Sequence, residues 1–438
     1  MSRIRGAWGM LGGLAVAVAL IAAIGTPTVA ERSRTGFDPE QPFSSGNDWE
    51  PYVAADPSSA FVYMVTTGRD ARECRQCPQP SITYRVSPDG GASWGPMKFV
   101  CGINCRSDNI AGPWQFDPTI AVARDGTVFV TWLDNWNPGP LVTKSTDHGA
   151  TFLRPVIAGK SGGGWVDKPW IAISDDGREV YVAFTNGDPF VSTSHDGGVT
   201  FGRPVKITPP LNKLYWFPEG GVVTSNGNVY FSMSIESTFG TGPVELVVLR
   251  SVDRGATWTV QTIDRSEEAR LCEGSCGIDH YQAQIVIDAD SAGTLMVAYM
   301  KTERPGGLKK VFSRTSTDGA HWAEPRLIND VADSNFPAIT SGPKPGDFRV
   351  AWQDDRNGPL TAWNTFYKRT TNYGRSWSQE VRLSDVGFGA PYKEPEGYRF
   401  PYGDYFGIAT DSGGRNYVTW GEGFGRGTGG GSWFTRGA

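Results

Sequence analysis

The stretch "STDHGATF", Ser145 to Phe152, decides the fold, because the chain writes it repeatedly. It recurs as "SPDGGASW" (Ser87 to Trp94), "SHDGGVTF" (Ser194 to Phe201) and "SVDRGATW" (Ser251 to Trp258). Looser copies are "STDGAHW" (Ser316 to Trp322) and "TTNYGRSW" (Thr370 to Trp377). Each has the chemistry of a tight turn. The Ser and the acid, at Asp89, Asp147, Asp196, Asp253, Asp318 and, as an amide, Asn372, can hydrogen-bond nearby backbone. The Gly tolerates positive φ, and the closing aromatic anchors the turn on the apolar side. An acid repeated in nearly every unit reads as a structural staple, not as a catalytic group or calcium ligand.

A second repeat precedes each phrase. "DPTIAVARDGTVFVTWLD" (Asp117 to Asp134) shows a short apolar strand, a turn at Asp125-Gly126 and a second strand, the pattern of a β-hairpin. Similar segments are "EPYVAADPSSAFVYMV", "KPWIAISDDGREVYVAFT", "FPEGGVVTSNGNVYFSMS", "YQAQIVIDADSAGTLMVAYM", "FPAITSGPKPGDFRVAW" and "GDYFGIATDSGGRNYVTW". Hairpin, loop, strand, braced turn and strand make a four-stranded blade, and a period of roughly fifty residues signals a propeller or solenoid. The expectation is an all-β, single β-propeller of four-stranded blades spanning residues 31–438, with seven blades, or six if one weak copy is an insertion. The last copy has three candidate strands, ending in "GSWFTRG". "GFDPEQPF" (Gly36 to Phe43) is expected to supply the fourth and close the ring, protecting both edges.

Composition agrees and narrows the function. The 438 residues are 20% charged and 12% aromatic, with 56 Gly, 30 Pro and 16 Trp, as an ordered but turn-rich chain requires. The formal charge of -5 and the lack of a Lys/Arg block argue against nucleic acid as a partner. Arg3 and Arg5, the apolar run from Leu11 to Gly25, and small residues at Thr28 and Ala30 predict a signal peptide over residues 1–30, with an uncleaved anchor as the other reading. No later segment is apolar enough to span a bilayer, so a protein secreted or held in the cell envelope is expected. Cys74, Cys77, Cys101, Cys105, Cys272 and Cys276 are an even set that suits disulfides after export, with zinc at "CRQC" and "CGINC" as the alternative. Their pairing is not legible.

The braced-turn phrases resemble the Asp boxes, or BNR repeats, of the sialidase superfamily, over nearly the whole mature chain. That resemblance implies a propeller whose active site lies on the face away from the braced turns. The loops expected on that face carry Glu50, Asp117, Asp167 with Lys168, Glu219, Asp279 with His280 and Tyr281, Asp333, and Tyr402 with Asp404 and Tyr405 at the blade entries. After the second strands come Arg69 and Asp70, Asp134, Asp188, Glu236, Glu303 and Arg304, Gln353 to Arg356, and Glu422. Carboxylates, arginines and aromatics are the residue types of sugar sites. An acid entering a strand is as readily a backbone cap. His280 is the lone histidine expected on this rim.

For a sialidase the resemblance implies an arginine cluster on the sugar carboxylate, here Arg69, Arg304 and Arg356. It also implies a tyrosine nucleophile with its glutamate, Tyr402 with Glu219, and an aspartate acid/base, Asp70. Glu50 and His280 complete the substrate-binding candidates. One departure is specific: where sialidases open the first blade with Phe/Tyr-Arg-Ile-Pro, this chain reads "DWEP" around Trp49 and Glu50. The expected function is an exported glycoside hydrolase on sialylated or acidic glycans, against a non-catalytic glycan- or protein-binding propeller and a polysaccharide lyase using His280 or Tyr281. No cofactor or metal and a monomeric state are expected.

Overall fold

The computed structural model describes residues 36–43, 48–68, 77–100, 114–134, 139–162, 166–207, 215–238, 241–270, 282–357, 363–384, 403–423 and 430–437. These form seven four-stranded antiparallel sheets, and no helix occurs among the described residues. The seven hairpin copies are therefore seven blades, and the six-blade alternative falls away. Blade 1 runs Asp48–Ala55, Val62–Gly68, Ser81–Ser87 and Lys98–Phe99. Blades 2 to 6 repeat this order, with first strands Gln115–Val122, Asp167–Ile173, Tyr215–Val223, Ile285–Ala289 and Ser334–Ser341.

Blade 7 is built from both ends of the chain. Gly407–Thr410, Asn416–Gly423 and Gly430–Gly437 are completed by Gln41–Pro42, which pairs with Trp433 and Phe434. Asp38 N–H donates to Arg436 O at 2.8 Å and Phe43 N–H to Ser432 O at 2.7 Å. Phe37 and Phe43 are buried beside these bonds, so the closing segment is held by apolar area as well as by its short ladder.

Second strands are buried along their length, as Val62–Gly68 and Val128–Asp134 show, because each lies mid-sheet with another blade on either face. Their sequences accordingly mix apolar residues with small or hydroxyl residues, as in "VYMVTTG" and "VFVTWLD". Fourth strands, at the rim, are as short as two residues.

The repeated phrase folds the same way in each copy. Ser145 Oγ donates to Asp147 Oδ1 at 2.7 Å and accepts from Gly149 N–H at 2.8 Å, while Asp147 takes Thr151 N–H and Oγ1 at 2.9 and 2.6 Å. Gly149 has φ 75°. Asp89, Asp196 and Asp253 repeat the set with Ser93, Thr200 and Thr257. Asp318 uses His321, and Asn372 bonds Ser376. These bonds, led by the Thr or Ser hydroxyl, hold the first four carboxyls down at about 2. In each of these four turns the carboxylate is taken up by groups of its own turn.

Candidate functional site

Four first strands share a local distortion. Glu50, Asp117, Lys168 and Phe336 each precede a proline and adopt positive φ, of 57°, 53°, 50° and 50°. At each the register with the second strand slips, between Trp49 and Tyr52, Phe116 and Thr119, Asp167 and Trp170, and Asn335 and Ala338. These are β-bulges, which re-aim a side chain; the proline that follows cannot donate to the ladder, so the interruption costs little there. A positive φ at a non-glycine residue costs on the order of 1–3 kcal/mol and persists only where its surroundings impose it.

The bulges of blades 1, 2 and 3 bring three ionisable groups together, and blade 7 adds a fourth, Asp404. Lys168 Nζ lies 2.9 Å from Asp117 Oδ1 and bonds Asp404 Oδ2 as well. Glu50 Oε2 accepts from Thr67 Oγ1 at 2.8 Å and from Asp117 N–H at 3.0 Å. Asp167 Oδ1 accepts Lys168 N–H at 3.0 Å. Carboxylate oxygens of Glu50, Asp117 and Asp404 lie within 4.8 Å of one another, a grouping able to hold a cation, and the Lys168 ammonium supplies one. Asp404 is fixed from the other side, where Gln284 Nε2 donates to its carbonyl at 3.1 Å.

Crowding sets the protonation. Burial, reinforced by Asp117 and Asp404, pushes Glu50 well above the ordinary carboxyl range, and its side chain hydrogen-bonds Asp117. Burial also lifts Asp167 to about 7, Lys168 opposing and Asp117 and Asp404 adding, and its side chain likewise bonds Asp117. Asp117 thus stands between two proton-holding carboxyls, with the ammonium on its third side. The group combines proton donors with a carboxylate acceptor, the equipment of general acid–base chemistry.

Below the cluster lies an aromatic layer. Tyr52, Trp170 and Tyr405 meet edge to face at 5.2–6.2 Å, and Tyr405 OH donates to Pro118 O at 3.0 Å. These rings, with Phe336 and Glu219, line a cavity of about 370 Å³. Glu219 accepts from Ser234 Oγ at 3.1 Å and Ile285 N–H at 2.8 Å, and burial raises it well above its usual range despite those bonds. It can hold a proton at the cavity wall.

Of the residues expected from sequence, Glu50 sits in the cluster and Glu219 on the cavity. Arg356 is placed differently: its guanidinium pairs with Asp354 and Glu380, donates to Asn329 and lies 3.8 Å from the Phe366 ring centroid. Its donors are taken up by blades 5 and 6. Arg304 is exposed on the loop after Leu295–Lys301, with its carbonyl held by Thr302 Oγ1. Arg69, Asp70, His280, Tyr281 and Tyr402 lie outside the described residues, as do Cys74, Cys101, Cys105, Cys272 and Cys276; Cys77 is buried. Other rim acids serve as caps, since Trp352 Nε1 donates to Asp354 Oδ2 at 2.9 Å and Trp420 Nε1 to Glu422 Oε2 at 2.7 Å. Asp117, Lys168 and Asp404 were on the rim by sequence without being singled out. The signal that distinguishes the first two is an ionisable residue before proline at a blade entry.

No protein-family model and no curated protein sequence matches the chain. Solved structures do. A PL25 ulvan lyase, a polysaccharide lyase solved bound to -[GlcA(1-4)Rha3S]-, aligns over 90% of this chain and 94% of its own at 10% identity and TM-score 0.54. The Hadza microbial sialidase Hz136 aligns over 89% of this chain at 14% identity and TM-score 0.47, and Trypanosoma rangeli sialidase over 91% at 12% and 0.45. The chain spans 65% and 58% of the lengths of those two sialidases. The fold is a seven-bladed β-propeller, and at these identities the likeness is one of architecture.

Proposed function

We propose that the protein is an exported glycoside hydrolase that cleaves glycans at the mouth formed by blades 7, 1, 2 and 3. The observation that carries this reading is the convergence of Glu50, Asp117 and Lys168, on strained bulges, with Asp167 and Asp404, next to the ring of Tyr405. Glycoside cleavage needs a carboxylic acid that keeps its proton near neutral pH and a carboxylate close by. Glu50 is the proton donor in this scheme and Asp117 the second carboxyl group. The partly exposed Tyr405 and Tyr52 offer ring surface of the kind that sugars stack on.

The braced-turn phrases resemble those of sialidases, so sialylated glycans head the substrate panel, followed by uronate polysaccharides and neutral glycans. The test is product analysis by mass spectrometry on the secreted form, with E50Q and E219Q beside the parent. Released sugar from the parent, lost in E50Q with folding intact, supports hydrolysis through Glu50. Unsaturated uronate products would move the assignment to a lyase. Saturable glycan binding with no product would make the propeller a binding protein.

A further inference from the structure

We propose that Lys168 is the positioning residue of this mouth: by bridging Asp117 and Asp404 it keeps both ionised and leaves Glu50 to carry the proton. This rests on the reading of the mouth as a reaction centre, and it adds which residue assigns the roles. Three carboxyl groups stand within 4.8 Å of one another, and like charges so close do not all ionise. The Lys168 ammonium reaches two of them, Asp117 at 2.9 Å and Asp404. Glu50 makes no ion pair among the described residues; its Oε2 is held by a hydroxyl and a backbone N–H, and the Lys168 charge opposes, without overcoming, the burial that raises it.

The groups facing this point come from four blades. Glu50 and Thr67 approach from blade 1, Asp117 from blade 2, Asp167 from blade 3 beside Lys168, and Asp404 with Tyr405 from blade 7. Tyr405 presents its ring to the ammonium at 5.9 Å, and its hydroxyl is turned to Pro118 O. Lys168 is itself fixed by the bulge, at φ 50°, with a side chain only 11% exposed. Asp117 Oδ1 accepts from Lys168 Nζ at 2.9 Å while its backbone N–H donates to Glu50 Oε2, so the ammonium and Glu50 meet at this residue.

The test reads protonation directly and uses no substrate. Side-chain carboxyl ¹³C signals of Asp- and Glu-labelled protein are followed against pH, with assignments from E50Q, D117N and D404N. In the parent, Glu50 should remain protonated when Asp117 and Asp404 have ionised. In Lys168→Met the Asp117/Asp404 pair should hold a proton to a pH higher by about 1–3. Lys168→Arg, which restores a cation, should return ionisation to the parent range. Unshifted Asp117 and Asp404 titrations in a folded K168M protein overturn the proposal. Should K168M fail to fold, D404N decides: Glu50 should then lose its proton at a pH lower by about 1 or more, and an unmoved Glu50 overturns the assignment. Because no turnover enters, absence of glycan cleavage would defeat the proposed function and leave this result standing. If both hold, the pH optimum of cleavage should move with the titrations.

Discussion

Replacing Asp167 by Asn should remove a pH dependence from stability that the mouth imposes. Burial holds the Asp167 proton up to about 7, against an ordinary value of 3.8. Over that window the folded chain binds a proton the unfolded chain has released, so stability present below pH 4 is lost as pH rises through 7. A tenfold change in proton affinity is worth about 1.4 kcal/mol, so the rise from 3.8 to about 7 sets a ceiling of ~4 kcal/mol. Asp167 is only partly covered and water screens it, so about half that ceiling is expected. Asparagine keeps the acceptor for Lys168 N–H and offers a donor to Asp117, so the packing survives. Urea denaturation of parent and D167N at closely spaced pH values from about 4 to 8 measures the effect. The two should be nearly equal at pH 4 and diverge in favour of D167N by about 2 kcal/mol at pH 8. A difference constant across that range would show that Asp167 ionises normally in the fold, and the crowded-carboxyl account of the mouth would fail with it.

Other sites give independent checks. E50Q should abolish glycan cleavage with little change in melting temperature, since the amide resembles the neutral form the fold already holds; equal activity would remove Glu50 from the chemistry. Ser145→Ala deletes a buried hydroxyl that serves Asp147 and Gly149 N–H, and should cost about 1–3 kcal/mol in denaturant titration while cleavage per folded molecule is unchanged. Phe37→Ala should cost about 3–5 kcal/mol by opening the seam between blade 7 and its closing strand, seen as faster limited proteolysis at residues 36–43. At Gly403, φ is 73° and an added Cβ would lie 2.5 Å from Glu50 N; G403A should therefore lower cleavage well beyond any loss of stability.

The fold was legible because its signals are local. A Ser-x-Asp-x-Gly turn such as Ser145 to Gly149 closes on itself within five residues, and the hairpins need only neighbouring segments. Even the closing strand could be anticipated, since blade 7 ran out of chain and "GFDPEQPF" was unassigned. The site was legible only as a list. Nothing local says that Lys168 meets Asp404, 236 positions away, because that contact exists only once the ring has closed and blade 7 stands beside blade 1. Arg356 went the other way: an arginine on a rim loop looked available to substrate, but Asp354 and Glu380 lie closer than any ligand would.

The contrast between the two kinds of rim acid explains why type and position alone could not separate cap from candidate. Asp354 and Glu422 follow a tryptophan by two residues in a regular second strand, so each lies on the same face of its strand as that tryptophan and takes its indole N–H. They are consumed by their own blade at no backbone cost. Glu50, Asp117 and Lys168 sit at bulges with positive φ, each costing on the order of 1–3 kcal/mol, and turn inward to meet side chains from other blades. A propeller needs no such strain to close: in blade 5 the register between Ile285–Ala289 and its partner strand runs without interruption. Stability alone therefore gives no reason to maintain three charged bulges in adjacent blades, converging on carboxyls that must share protons. The arrangement is accounted for if the mouth is where the protein does its chemistry, and the feature that marks it is strain before proline at an ionisable residue, since the same bulge at Phe336 carries no such group.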